Sequence, residues 1–354
     1  MTKRVRVVVV DDSAVCRELL RGLLEADGDI DVVGEAASGE AAGTIIAQVR
    51  PDLATIDIQM PGVGGLGAIA RIMAETPLPI LVVTGQPRHA EAELTFAAVQ
   101  LGALDLALKP DVHQAPEAAR LRAKVRQLAG VPVVRHVGAH REVKPQPTRS
   151  PALGVGVSSA CRIVGIGASA GGPAACASVL AHLDSHFGAA VALVQHLPKG
   201  FSGSFAGFLA QRMTLEVEVV RTSATPRPRV VFLAPDDQHL IAVPGGMLVA
   251  IDGPAMGGHR PAVNALFESL ATVYGPAAAG VVLSGIGDDG ATGLLAMRQR
   301  GALTLVQDEA SSIVYGMPRA AFELRAAQLS LPPDAIGRAL NGFGSLPLAA
   351  AGLR

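Results

Sequence analysis

Short apolar runs recur along the chain, and several lead into a polar side chain of a type that does chemistry. Val7–Val10 runs into Asp11 and Asp12, Ala54–Ile56 into Asp57, and Ile80–Val83 into Thr84, while the Leu104–Leu108 stretch meets Lys109. Further on, Ile163–Ala168 runs into Ser169, Val191–Val194 into Gln195 and His196, and Val281–Leu283 leads to Asp289. Apolar runs bounded by turn residues predict strands, and the helical patterns at 13–24, 114–128 and 262–270 predict helices, the last with Pro261 near its start. This alternation repeats without a sequence duplicate and predicts two doubly wound α/β units built on parallel sheets. In such sheets the carboxyl ends of the strands share a crevice, so residues distant in sequence meet there.

Composition fits two units. The 354 residues exceed one compact domain, and a hydrophobic content of 49% is ample for two cores. Prolines, glycines, serines and the basic stretch Arg135–Lys144 crowd residues 129–158, which reads as a solvated tether after the 114–128 helix. The expected organisation is a first unit at 1–126, a linker at 127–158 and a second unit at 159–350. No stretch reads as a membrane span or signal sequence, which predicts a soluble cytoplasmic protein without membrane insertion. The formal net charge of −1 argues against broad nucleic-acid binding. Cys16, Cys161 and Cys176 have no metal-binding or disulfide spacing, and Cys16 and Cys176 fall in apolar helical patterns that predict buried thiols.

Ser169 lies in a glycine-rich strand-to-helix turn, Gly165-Ile-Gly-Ala-Ser-Ala-Gly-Gly172. A neutral serine is a weak nucleophile and needs a base, so His196 would take its proton during attack on a carbonyl and return it to the leaving group. Asp289 would fix the imidazole tautomer and stabilise the imidazolium. Backbone N–H groups of the turn and the helix N-terminus would stabilise the tetrahedral oxyanion. Each residue alone also fits a plain structural role, the serine as a helix cap and Asp288 or Asp289 as a cap for the helix near Ala291. A dinucleotide reading of the glycines calls for an acidic residue after the next strand, and that strand leads instead to Gln195 and His196.

In the first unit, Asp11, Asp12 and Asp57 present hard oxygen ligands suited to Mg²⁺, with Asp57 as a phosphoryl acceptor. Thr84 offers a hydroxyl to a phosphoryl oxygen and Lys109 a cation to offset its charge.

The motifs Gly167-Ala-Ser-Ala-Gly-Gly172, Gln195-His-Leu-Pro198, Gly258-His-Arg-Pro261 and Gly285-Ile-Gly-Asp-Asp-Gly290 closely resemble the chemotaxis receptor methylesterase family, CheB. The resemblance continues through Gln307–Ser312 and Tyr315–Pro318, and residues 4–121 resemble a response-regulator receiver domain of flavodoxin-like fold. It implies a triad of Ser169, His196 and Asp289 that hydrolyses glutamate γ-methyl esters on chemoreceptors to glutamate and methanol and deamidates receptor glutamines. Implied partners are the methyl-accepting receptors and the chemotaxis histidine kinase CheA as phosphodonor; Mg²⁺ serves the receiver and no cofactor serves the esterase. Arg260 is a candidate contact for acidic receptor side chains, with a structural salt bridge as the plain alternative. Asp236 and Asp237 read as a solvated turn.

Four positions depart from the family pattern: Ala170 for threonine, Ile286 for methionine, Asn264 for aspartate and Leu106 for the receiver's switch aromatic. Phe96, earlier in a helix pattern, reads as core. The expected regulation is a receiver that covers the Ser169 cleft until Asp57 is phosphorylated, with a phosphorylation that raises receptor affinity instead of relieving inhibition as the alternative. The alternative function is a phosphorylation-dependent chemosensory adaptor without turnover.

Overall fold

Strand β1 (Val5–Val10) is buried over its last four residues, as a valine-rich strand covered on both faces must be. The computed structural model describes residues 4–85, 89–110, 115–131, 133 and 163–344; Cys161 and the basic stretch 135–144 lie outside the described residues. With β2 (Ile30–Ala36), β3 (Leu53–Ile56), β4 (Ile80–Thr84) and β5 (Asp105–Leu108), β1 forms a parallel sheet in the order 2-1-3-4-5. Its helices are α1 (Ala14–Glu25), α2 (Gly39–Val49), α3 (Gly64–Glu75), α4 (His89–Gln100) and α5 (Ala115–Leu128). Ser13 caps α1 by accepting the N–H of Cys16, so the helix expected at 13–24 starts one residue later.

The second unit carries β6 (Ile163–Ala168), β7 (Ala190–Gln195), β8 (Glu216–Val219), β9 (Ser223–Ala224), β10 (Val230–Leu233), β11 (His239–Ala242), β12 (Leu248–Ile251), β13 (Ala278–Val282), β14 (Leu303–Gln307) and β15 (Leu329–Leu331). Seven of these form a parallel sheet in the order 15-14-13-6-7-10-8. Its helices are α6 (Gly172–Ala181), α7 (Ser202–Ala210), α8 (Val263–Val273), α9 (Ala291–Gln299), α10 (Met317–Glu323) and α11 (Pro333–Gly344). The two parallel sheets with helices between successive strands are the doubly wound units expected. The strands β9, β11 and β12 form a small antiparallel sheet that the periodicity did not predict. Cys176 is fully buried and its thiol is pushed well up by burial, whereas Cys16 is only partly covered.

The two units meet through an aromatic contact. Phe96 of α4, 1% exposed, stands 5.4 Å from both Phe205 and Phe208 of α7 and meets Phe201 edge-on at 6.3 Å. Phe96 is therefore core, as expected, but the apolar cluster it enters is shared by the two units.

Candidate active site and phosphoacceptor site

Ser169 follows β6, the central strand, with β7 on one side and β13 on the other. Parallel register aligns Ala168 with Gln195 and Gly167 with Val282, which brings the residues after all three strands to one edge. The turn is made by Gly171, whose φ of 73° favours glycine, and by Gly172, where a Cβ would stand 2.2 Å from Oε1 of Gln195. Nε2 of buried Gln195 donates to the carbonyl of Ser169 at 2.7 Å, and the N–H of His196 donates to Ala168 at 2.9 Å. The turn is thus braced from β7, and Gln195, quoted above only as part of a motif, does the bracing.

His196 Nε2 lies 2.9 Å from Oδ2 of Asp289. Asp289 also accepts the N–H groups of Val263 and Asn264, at 2.7 and 2.9 Å, at the start of α8. Burial pushes this carboxyl's pKa up, but the His196 bond and the two backbone donors outweigh it and hold it below the ordinary carboxylate value. Asn264 reciprocates: its Oδ1 accepts the N–H groups of Gly290 and Gly293 and caps α9, whose own cap position is a glycine. No carboxylate caps α9 itself, contrary to the plain reading of Asp288 and Asp289.

The carboxylate bond to Nε2 fixes the imidazole proton there and leaves Nδ1 as the acceptor. Nδ1 is buried without a hydrogen-bond partner, and Ser169, 7% exposed, has no hydrogen bond from its hydroxyl among the described residues. The serine and histidine share the sheet edge without being bonded; such contacts are often loose in the absence of substrate.

The ring of His259 stacks on His196 with centroids 3.9 Å apart and planes 4° from parallel. Burial, then the neighbouring His196 charge, lowers the pKa of His259 to about 4, so it is neutral at working pH. The His259 turn is closed by paired backbone bonds with Met256. Arg260 donates to Asp237 and to the carbonyl of Gly253, so its donors are engaged within the chain. Asp236 accepts from the N–H and hydroxyl of Ser202 at the start of α7. The two aspartates read as a solvated turn thus anchor α7 and the Arg260 loop.

In the first unit Asp11, Asp12 and Asp57 can place ligand oxygens within 4.8 Å of one another, an acidic cluster able to hold a metal ion. Asp11 and Asp57 are buried at the carboxyl ends of adjacent β1 and β3, while Asp12 is exposed. Lys109 Nζ lies 2.6 Å from Oδ2 of both Asp11 and Asp57, with hydrogen-bond geometry only toward Asp57. Burial opposes its charge, but the two carboxylates prevail and raise its pKa above the usual lysine value. Oδ2 of Asp11, held only by the Lys109 charge without hydrogen-bond geometry, and the hard oxygen donors beside it suit a divalent cation. Thr84 is buried at the end of β4, and its carbonyl accepts the N–H of Lys109 at 2.8 Å.

The description "CheB methylesterase" matches residues 164–340, and "response regulator receiver domain" matches residues 7–120. A "protein-glutamate methylesterase/protein-glutamine glutaminase 2" of Anaeromyxobacter dehalogenans is 44% identical over 339 residues, 95% of this chain and 96% of the relative. The chain belongs to the CheB family. A second relative from that organism, "protein-glutamate methylesterase/protein-glutamine glutaminase 3", is 39% identical over 94% of this chain and 97% of its own length. The crystal structure of the Thermotoga maritima CheB methylesterase catalytic domain aligns with a TM-score of 0.50 at 30% identity, covering 51% of this chain and 98% of that one.

Two departures from the CheB pattern lie where the receiver touches the esterase. Ala170 belongs to an apolar cluster with Val7, Leu104 and Leu121 of the receiver, and Ile286 packs against that cluster. The N–H of Gly171 donates to the carbonyl of Leu104 at 3.0 Å. The receiver therefore rests on the nucleophile turn itself.

Proposed function

We propose that this chain hydrolyses glutamate γ-methyl esters on the cytoplasmic helices of methyl-accepting chemotaxis receptors and deamidates receptor glutamines, under control of phosphorylation at Asp57. The observation that carries the reading is the Asp289–His196 pair at the edge shared with Ser169, with Nδ1 of the imidazole left free. Ser169 Oγ attacks the side-chain carbonyl while its proton passes to Nδ1 of His196. Asp289 keeps the opposite ring proton in place as the ring becomes charged. The intermediate collapses when His196 protonates the leaving methoxide, releasing methanol and leaving an acyl-serine. Water then attacks with the same histidine as base, and glutamate and free serine result. With an amide the sequence is the same and ammonia leaves, more slowly because the amine is the poorer leaving group.

The family matches at 7–120 and 164–340 support a receiver at 1–126, a linker at 127–158 and an esterase at 159–350. In the receiver, Asp11, Asp12 and Asp57 would hold Mg²⁺, which would supply positive charge to offset that of a phosphoryl group, and Asp57 would accept that group from the chemotaxis kinase CheA. Thr84 and Lys109 serve the same phosphoryl group. Arg260 is exposed with Asp237, and a pair of this kind is worth about 0–1 kcal/mol, so exchanging Asp237 for a receptor carboxylate costs little. A cytoplasmic location fits these partners. No helix among the described residues is long and apolar enough to cross a membrane.

Methanol release from a methylated receptor fragment, comparing the wild-type chain with Ser169→Ala under conditions that phosphorylate Asp57, tests the proposal. Release by the wild type and none by S169A is the expected result. Receptor binding without release by the wild type would favour the adaptor reading.

A further inference from the structure

Behind the nucleophile turn lies a buried polar relay that takes no part in the proton transfers. Ser284, just after β13, is fully buried and touches the turn at two points. Its carbonyl accepts the N–H of Ser169 at 3.0 Å, and its hydroxyl donates to the carbonyl of Ala170 at 2.7 Å. The same hydroxyl accepts the N–H of Val314 at 2.9 Å, with the Val314 carbonyl farther off at 3.3 Å. The N–H of Ser284 is held at 2.8 Å by Oε1 of Gln307, itself 2% exposed, whose Nε2 donates to the carbonyl of Ser311 at 2.8 Å. Two side chains thus tie the nucleophile turn to β14 and to the loop that follows it.

The geometry of the peptide unit gives this relay a consequence. In a trans peptide the C=O and the following N–H point in opposite directions. The Ala170 carbonyl is held inward by Ser284, so the N–H of Gly171 faces outward, and there it meets the carbonyl of Leu104 from the receiver. A carbonyl oxygen is the group an ester substrate would bring. The approach is close enough to exclude a side chain at this position, since a Cβ at Gly171 would stand 2.7 Å from both Ser284 Oγ and Cβ of Ile313.

We propose that Ser284 is a positioning residue for the esterase reaction. Its hydroxyl locks the Ala170–Gly171 peptide so that the Gly171 N–H can donate to the acyl oxygen of the substrate as negative charge develops, once the receiver carbonyl has left. The proposal rests on Ser169 as nucleophile. A donor aimed at the developing oxyanion acts on kcat rather than on binding, because the oxygen carries full charge only near the transition state.

The test compares Ser284→Ala and Ser284→Thr in the full chain, phosphorylated with acetyl phosphate and assayed for methanol release from methylated receptor fragment. Losing an oxyanion donor outright lowers kcat by about 10²–10³, so tilting one should lower kcat of S284A by about ten- to hundredfold with little change in KM. S284T, which keeps the hydroxyl, should recover most of that loss. A wild-type kcat in S284A, a change confined to KM, or an equal loss in S284T overturns the proposal. If S284A fails to fold, Ser284→Cys, of similar shape but a weak donor, is read against the same outcomes. Ser169→Ala in the same assay separates the two readings, since activity surviving in S169A removes the serine mechanism whatever Ser284 does.

Discussion

Asp289 performs two tasks with one carboxylate, orienting His196 through Nε2 and terminating α8 through the Val263 and Asn264 N–H groups. Asp289→Asn keeps an acceptor for the helix but loses the charge and the tautomer control. Turnover should fall by roughly 10³–10⁴-fold with little loss of stability, whereas Asp289→Ala should also lose about 1–2 kcal/mol of folding stability, measurable by urea denaturation. The native Asp289 pKa lies below its unfolded value, so its stabilisation is present above the ordinary carboxylate value and is lost as pH falls through the native value. His259 drops from 6.5 to about 4 on folding, so the unfolded chain binds more protons in that window and stability declines as pH falls across it. His259→Gln should flatten the 6.5-to-4 limb in urea midpoints measured against pH; an unchanged slope would mean the ring titrates normally. Ser169, His196 and Asp289, proposed here as the triad, could be singled out from the sequence because each follows an apolar run, Asp289 a few residues after it. His259 had no such mark, since its stacking partner lies far away in the chain and nothing periodic points from one ring to the other.

At the scale of elements, β5 is a strut with a function at each end. Leu104, just before it, offers its carbonyl to the esterase turn, and Lys109, just after it, pairs with Asp57, the proposed phosphoacceptor. At about 3.3 Å per residue the two ends stand roughly 16 Å apart, joined by a strand buried at its start and paired with β4 throughout. Lys124 of α5 grips the middle of this strut through the Asp105 carboxylate and the Leu106 carbonyl, both at 2.8 Å. Leu106, found where receivers carry a switch aromatic, is itself 1% exposed and packed in the apolar core. Among helices, Asn264→Ala should cost about 1 kcal/mol by uncapping α9, and Asn264→Asp should keep the cap; thermal melts of the two variants decide this. The centres of the parallel sheets were legible because β1, β3, β4, β6, β7 and β13 lie in apolar runs, whereas β2 (IDVVGEA) and β8 (EVEV) carry charges and give no such run. The antiparallel sheet was not, because β9 has two residues and β11 and β12 are partly exposed, although Pro244-Gly245-Gly246 between them is a hairpin signal.

Across the whole molecule, the receiver is held on the esterase by Phe96 seated among the α7 phenylalanines and by the Leu104–Gly171 bond. Truncating a buried phenylalanine costs about 3–5 kcal/mol, and each 1.4 kcal/mol removed from docking multiplies the undocked population tenfold. Phe96→Ala should therefore raise methanol release in the absence of phosphodonor at least several-fold; release that stays at the wild-type basal level would show that α4 does not hold the units together. The departures at Ala170 and Ile286 gain a meaning here that the sequence did not carry, since both lie in or against the apolar cluster that the receiver shares with the esterase.

The Gly171 N–H can donate to only one carbonyl at a time, so on the proposed role of this group receiver and receptor are rivals for the same place. Mass action then dictates how control is expressed. Receptor binds with an apparent affinity reduced by the fraction of molecules that are undocked, while the turnover of each occupied site is untouched. Titrations with receptor should give phosphorylated and unphosphorylated protein different midpoints but a common plateau, and a cell crowded with receptor would partly release its own esterase without any phosphate.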